Sequence, residues 1–316
     1  MESKKILIIG GCGYIGSKLF VYLNSNPLYK VDTVDLEWYG NVVNPNNFII
    51  DFKNLTKEFI EKYDIVILLA GHSSTAMAIN SIKNSAIKNN LDNFTNLILK
   101  LNSKQKFIYA SSSSVYNGIK DDEVTEDHIL LSPKNVYDFT KKSIDEVMSL
   151  HPDIEFYGLR FATVNGYSDN LREDIMFNMM VKTAVLENEI KLLNPKIRRP
   201  ILYLNDLIQA IELIIENKTN RKGYYNLSSF NGTVEEYANI VSDLTGAKIN
   251  VTDETYFSKI MGGKLGNALD FSINSDKFKN VFNYNFVGTP KLITKEVSEI
   301  VEKVKKSKRS DGKNYE

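Results

Sequence analysis

Short apolar runs alternate with stretches of helical periodicity through the first half of this chain. KILIIG (5–10) is apolar at successive positions, which suits a strand covered on both faces, and YIGSKLFVYLNS (14–25) repeats its apolar residues at helical spacing. VDTVDL (31–36), NFIID (47–51), DIVILLAG (64–71), KFIYASSSS (106–114) and IEFYGLRFATV (154–164) read as further strands. LTKEFIEKY (55–63), residues 78–101 and VYDFTKKSIDEVMSL (136–150) read as helices. Alternation of this kind predicts an α/β fold with a doubly wound parallel sheet. After about residue 165 the rhythm breaks into helix 172–188, strand 200–204, helix 205–217, strand 223–227 and helix 233–245. The expected organisation is a first domain at 1–165, to which segments at about 200–227 return, a smaller C-terminal lobe at 166–305, and a frayed basic tail at 306–316.

The first strand runs straight into GGCGYIG, with Gly10, Gly13 and Gly16 spaced three apart before the first helix. Glycines there let the backbone turn tightly and approach a pyrophosphate, and the helix N-terminus offers unpaired N–H groups and partial positive charge. Asp35 ends the second strand, 19 residues after Gly16, where an acid meets the ribose hydroxyls of an adenine dinucleotide. An acid at that place repels a 2′-phosphate, so NAD is expected over NADP. Asp51, ending the predicted third strand, is placed to meet the adenine amine.

Composition narrows the class. Of 316 residues, 43% are apolar and 25% charged, and 39 basic residues balance 39 acidic ones. Zero net charge leaves no general electrostatic footprint for nucleic acid. The one cysteine, Cys12, excludes an intrachain disulfide framework and fits a reducing compartment. No apolar run approaches the ~20 residues of a membrane span. MESKK leads directly into a strand without a signal-peptide pattern, so a soluble cytoplasmic protein is expected. No His, Asp or Glu cluster has metal-ligand spacing, so no metal is expected.

Two further features carry chemistry. Tyr137 and Lys141 lie four apart on a predicted helix and therefore share a face. A tyrosine of ordinary pKa, ~10, is a poor base at neutral pH. A nearby ammonium and a positive nicotinamide ring favour its phenolate. Four serines, 111–114, close the fifth strand at the end where open α/β sheets place their ligands.

In this order, these elements resemble the extended short-chain dehydrogenase/reductases of the NAD-dependent epimerase/dehydratase family acting on nucleotide-activated sugars. The resemblance covers nearly the whole chain: GGCGYIGS, LLAGHSS (68–74), YASSSSVY, YDFTK, LRFATVNGY (159–167) and RRPILYLNDLIQAI (198–211). It implies a Rossmann domain and tightly bound NAD. Besides the glycines and acids, contacts to NAD are implied at Tyr14, Ile15, Phe52, Leu69, Ala70, Gly71, Ala110, Tyr137 and Lys141. Counting back four residues from Tyr116 places the family's catalytic Ser/Thr on Ser112. The resemblance gives substrate contacts at Ser113, Ser114, Thr163 and Asn165, with Arg199 a candidate for the nucleotide phosphate or ribose. Arg172 and Asn178 either reach a diphosphate or sugar or belong to a solvated helix face. His72 is either a nicotinamide-side residue or a hydrogen-bonded loop histidine. A homodimer built from helices at about 82–101 and 136–150 is also implied.

The dehydratase branch carries an Asp-Glu pair after its catalytic threonine, where this chain has Ser113 and Ser114. The branch that epimerises at C3 and C5 uses a Cys and a His, and the cysteine here lies in the glycine loop. Hydride chemistry at C4 remains, with 4-epimerisation expected. The alternatives are a net C4 dehydrogenase or 4-keto reductase on an activated hexose or heptose, and, in another class, a non-catalytic NAD-sensing protein. Sensors of this fold typically lack the tyrosine, which is present here with Ser112 and Lys141.

Overall fold

A computed structural model describes residues 3–73, 85–252 and 270–310. Six parallel strands form the main sheet: β1 (Lys4–Ile9), β2 (Tyr29–Val34), β3 (Ile65–Leu68), β4 (Lys106–Ala110), β5 (Glu155–Phe161) and, following three strands placed elsewhere, β9 (Gly223–Leu227). Their order is β2-β1-β3-β4-β5-β9. Successive residues of a strand face opposite sides of a sheet, and β1 uses this fully. Ile6 and Ile8 pack with Leu19 and Leu23 of α1 (Tyr14–Asn24) on one face, in a core that includes Leu207 and Ile211 of α7 (Leu204–Glu216). Leu7 and Ile9 join the opposite core, with Phe94 and Leu97 from α4 (Asn93–Ile98) and Ile144 and Met148 from α5 (Val136–Ser149). The unbroken apolar strands are thus covered on both sides, as their composition requires.

Residues 47–51 do not form the expected strand. Phe48 alone makes a parallel bridge, to Val34, while Ile49 and Ile50 are exposed. Asparagines set this loop. Asn44 Nδ2 donates to Thr33 Oγ1, which donates in turn to Asn47 Oδ1, so side-chain bonds displace a regular ladder. A short helix α2 (Lys57–Ile60) follows. The helix expected at 78–101 is described from residue 85. It consists of α3 (Ser85–Ile87), a π-helical turn (Lys88–Asp92) and α4. Residues 78–84 lie outside the described residues.

The strand expected at 154–164 divides at Ala162, whose N–H donates to Leu227 O. Beyond it, β6 (Thr163–Asn165) joins a separate small sheet, order β10-β8-β6, with β8 (Arg198–Tyr203) and β10 (Phe230–Thr233). The predicted strand at 200–204 therefore pairs outside the main sheet, whereas α7 and β9 pack back onto it. A third core lies between α6 (Met176–Glu187), β7 (Glu189–Leu192), α8 (Val234–Thr245) and α10 (Pro290–Ser310), centred on Phe177, Val181, Ile201, Tyr237 and Val297. β11 (Lys248–Val251) pairs with β7, and α9 (Asp276–Phe282) packs near β9. Residues 306–310, expected as tail, continue α10. Among the described residues no helix is long and apolar enough to cross a membrane.

Candidate active site

A cleft of about 500 Å³ opens at the carboxyl ends of β1, β2 and β3, where the strand order changes direction. Gly10, Gly13, Tyr14, Ile15, Gly16, Asp35, Asp51, Phe52, Leu69, Ala70 and Gly71 all line it. The glycines have different physical reasons. A Cβ on Gly16 would stand 2.0 Å from Gly10 O, and one on Gly10 (φ +92°) 2.5 Å from Ala70 N. Gly16 thus lets the loop close on itself, and Gly10 lets it approach the backbone that follows β3. At Gly13 the nearest atom to a Cβ is Gly10 O, at 3.5 Å, so the protein itself leaves room there. Gly13 begins α1 without a side-chain cap, and the first turn holds no acid. The helix N-terminus is thus open to an anion. Asp35 reaches the same place: Oδ2 accepts from Cys12 N (3.0 Å) and Oδ1 from Glu37 N (2.7 Å). The cleft has room for a dinucleotide, with the open N-terminus of α1 and the Asp35 carboxylate on its lining. Asp51 is ion-paired with Lys53 at 2.8 Å.

A small pocket that shares Phe52, Ala70 and Asn89 with the cleft is lined by Ala110 and Lys141, near Tyr137. Ser112 begins the 3₁₀ turn Ser113–Tyr116, its Oγ accepting from Ser114 N (3.1 Å). The Ser112 hydroxyl stands near Tyr137 without full hydrogen-bond geometry. Burial raises the Tyr137 pKa, Ser112 and the positive Arg172 lower it, and Asp138 raises it. Lys141 Nζ lies 5.8 Å from the centre of the Tyr137 ring and donates to Ala110 O (2.6 Å). Burial draws the Lys141 pKa down to about 8, against the opposing pull of Asp145. Arg172 is a further positive charge acting on the phenol that the sequence reading did not assign to it.

Several expected substrate contacts turn out to support the site from beneath. Asn165 is fully buried; its Oδ1 accepts from Asn178 N (3.2 Å), and its Nδ2 donates to Thr163 O (2.9 Å). Asn178 is also buried, accepting from Gly166 N (3.0 Å) and donating to Arg172 O (3.0 Å). Both asparagines satisfy backbone groups where β6 turns into α6, so their amides are spent within the protein. Ser113 and Ser114 are buried in the 3₁₀ turn, and the Ser114 hydroxyl leans toward the Asp138 carboxylate without full hydrogen-bond geometry. Thr163 is partly exposed on β6. Arg199 lies on β8 opposite Gly232, outside the cleft lining. Arg172 does line the cleft, paired with Asp174 through Nε (2.9 Å) and Nη2 (2.8 Å). His72 is buried, which lowers its pKa, and its ring meets Trp38 edge-on.

Other residues escaped the sequence reading. Asn90, in the π-turn, accepts from His72 N (2.8 Å) and donates to His72 O (3.0 Å) and Thr140 Oγ1 (3.2 Å). It clamps the loop after β3 to the helix of Tyr137 and Lys141. Gly71 (φ +146°) permits this, since a Cβ would approach Asn90 Oδ1 to 2.7 Å. Under the same helix, Asp145 accepts from Arg160 Nε (2.8 Å), Tyr109 (2.9 Å) and Ser111 (3.0 Å), all buried. Asn90 is one of six asparagines between residues 80 and 96, so the sequence did not single it out, and the Asp145–Arg160 pair had no signal either.

Comparison with known proteins agrees with this geometry. The model of the NAD dependent epimerase/dehydratase family matches residues 6–228. The chain belongs to that family. It is an NAD-dependent enzyme. A UDP-glucose 4-epimerase of Lactobacillus helveticus is 25% identical over an alignment covering 99% of each chain. Two solved structures share the fold. The UDP-glucuronic acid 4-epimerase of Bacillus cereus, in complex with UDP-glucuronic acid and NAD, has a TM-score of 0.80 at 21% identity, covering 95% of this chain and 99% of that one. The NAD-dependent NDP-hexosamine 5,6-dehydratase TunA has a TM-score of 0.82 at 18% identity, covering 95% and 98%. Family members of this fold therefore perform different reactions on nucleotide sugars, and the choice among them rests on side chains.

Proposed function

We propose that this chain is a nucleotide-sugar 4-epimerase. The observation that carries the reading is the grouping of Ser112, Tyr137 and Lys141, with Lys141 lining a pocket that shares Phe52, Ala70 and Asn89 with the cleft. Tyr137 takes the proton of the sugar C4 hydroxyl, and Ser112 hydrogen-bonds the same oxygen. NAD, when bound, supplies the hydride acceptor and donor. Lys141, fixed by Ala110 O, holds the nicotinamide ribose. Arg172 favours the phenolate. Tyr137 then returns the proton to the oxygen once the 4-keto sugar has turned its other face. Elimination is disfavoured because Ser113 and Ser114 stand where the dehydratase branch carries carboxylates.

Replacing Tyr137 by Phe should cut turnover about 10²–10⁴-fold while NAD stays bound. Normal turnover in that variant would refute the assignment. Incubation with a panel of sugar nucleotides separates isomerisation, without lasting NADH, from net oxidation, in which NADH accumulates. We further infer a homodimer across α4 and α5, supported by exposed Leu99, Val136, Phe139 and Leu150. Sedimentation of the holoenzyme at twice the chain mass is the expected result.

A further inference from the structure

The segment Asn170–Asp174, between β6 and α6, lies along the mouth of the cleft, and every one of its residues lines it. It is tied to three separate loops of the sheet domain. Asn170 Nδ2 donates to Cys12 O in the glycine loop (2.8 Å) and to Tyr39 O in the loop after β2 (3.4 Å). Arg172 Nη1 donates to Ser73 Oγ in the loop after β3 (3.1 Å). These loops line the cleft. Between the loop after β2 and the loop after β3, Trp38 meets His72 edge-on, with ring centres 6.2 Å apart.

The backbone of the segment is anchored at two points. Just before it, Ser168 Oγ hydrogen-bonds Ser17 Oγ in a fully buried pair (2.8 Å). At its middle, Arg172 O accepts from buried Asn178 Nδ2 (3.0 Å). The ties across the mouth are partly exposed single hydrogen bonds, which water can replace on opening.

We propose that Asn170–Asp174 is a strap over the bound dinucleotide, with Asn170 as its latch, and that it sets how long NAD stays on the enzyme. The proposal rests on the cleft being the NAD site. A retained cofactor returns its hydride to the same sugar molecule, which is what epimerisation requires, whereas a net dehydrogenase must exchange its cofactor every turnover. The same strap carries Arg172, so closing it also brings a cation toward Tyr137.

Trp38 is the one tryptophan of the chain and lines the cleft, so it reports occupancy directly. The holoenzyme would be loaded with NADH and chased with excess NAD, and the Trp38-sensitised NADH emission followed with time. Two variants remove the latch: Asn170→Ala, and Asn170→Asp, which keeps the shape but cannot donate to the two carbonyls. Each should release NADH about tenfold faster than the parent, the size expected for losing one or two hydrogen bonds. Because a latch gates both directions, the association rate should rise as well, and Kd should shift less than the release rate. A general structural defect would instead leave association unchanged or slow it, with a lowered Tm. Unchanged release in both variants, or release rising only in proportion to Kd, would overturn the strap. Failure of the parent chain to bind any dinucleotide, seen by calorimetry, would overturn the cleft assignment itself and the strap with it.

Discussion

Replacing Gly13 and Gly16 one at a time by alanine separates what the glycine loop does for the fold from what it does for the ligand. At Gly16 the new methyl would stand 2.0 Å from Gly10 O and 2.8 Å from Gly11 Cα. Both are backbone atoms of a tight turn and cannot move aside, so Gly16→Ala should cost several kcal/mol, about the upper range for single substitutions. At Gly13 the backbone is ordinary (φ −72°, ψ 179°) and the nearest atom is 3.5 Å away. Two small effects oppose each other there. Alanine lowers the entropy of the unfolded chain, worth about 0.4–1 kcal/mol, but it is a poorer first cap than glycine by a similar amount. Folding stability should therefore stay within about 1 kcal/mol of the parent. The methyl does occupy the space where the pyrophosphate would meet the helix N-terminus, so NAD affinity should fall at least about tenfold, or 1.4 kcal/mol. Urea titration of cofactor-stripped protein measures the first quantity and calorimetric titration with NAD the second. If Gly13→Ala bound NAD as tightly as the parent, the pyrophosphate would not lie over this residue, and the reading of the loop would fail.

The other predictions probe the base, the buried pair and cofactor choice. Folded Lys141 loses its proton near 8, whereas an unfolded lysine keeps it to about 10.4. The unfolded state thus binds more protons between these values, so this residue's contribution to stability is flat below pH 8 and rises with pH above it. In cofactor-stripped protein Lys141→Met should remove that slope, at most about 1.4 kcal/mol per pH unit, in urea titrations from pH 7 to 10. Asp145→Ala leaves Arg160 charged and buried without its carboxylate, and should cost about 3–5 kcal/mol by the same titration. Asp35→Ala removes the carboxylate that repels a 2′-phosphate, so the ratio of NADP to NAD affinity should rise at least about tenfold by calorimetry. An unchanged ratio would mean that Asp35 does not face the ribose.

What was legible in the sequence was what local physics dictates. A continuous apolar run such as ILII can be satisfied only between two covering layers, and Ile6, Leu7, Ile8 and Ile9 are divided between two cores as that rule requires. Glycines at fixed spacing before a helix, and a tyrosine one turn ahead of a lysine, are short-range patterns that survive any packing. Residues 47–51 misled because asparagine side chains compete with a ladder through contacts to Thr33, which lies far off in the pattern. Asn165 and Asn178 looked like ligands for sugar because the sequence carries no record of which backbone groups need partners at the turn into α6. The tertiary structure alone decided the rest. It brought Arg172 to bear on Tyr137, buried Asp145 against Arg160, and laid Asn170 across to Cys12, 158 positions away in the chain. Each of these joins residues whose separation no periodicity encodes, and each depends on the closing of the whole fold around the cleft.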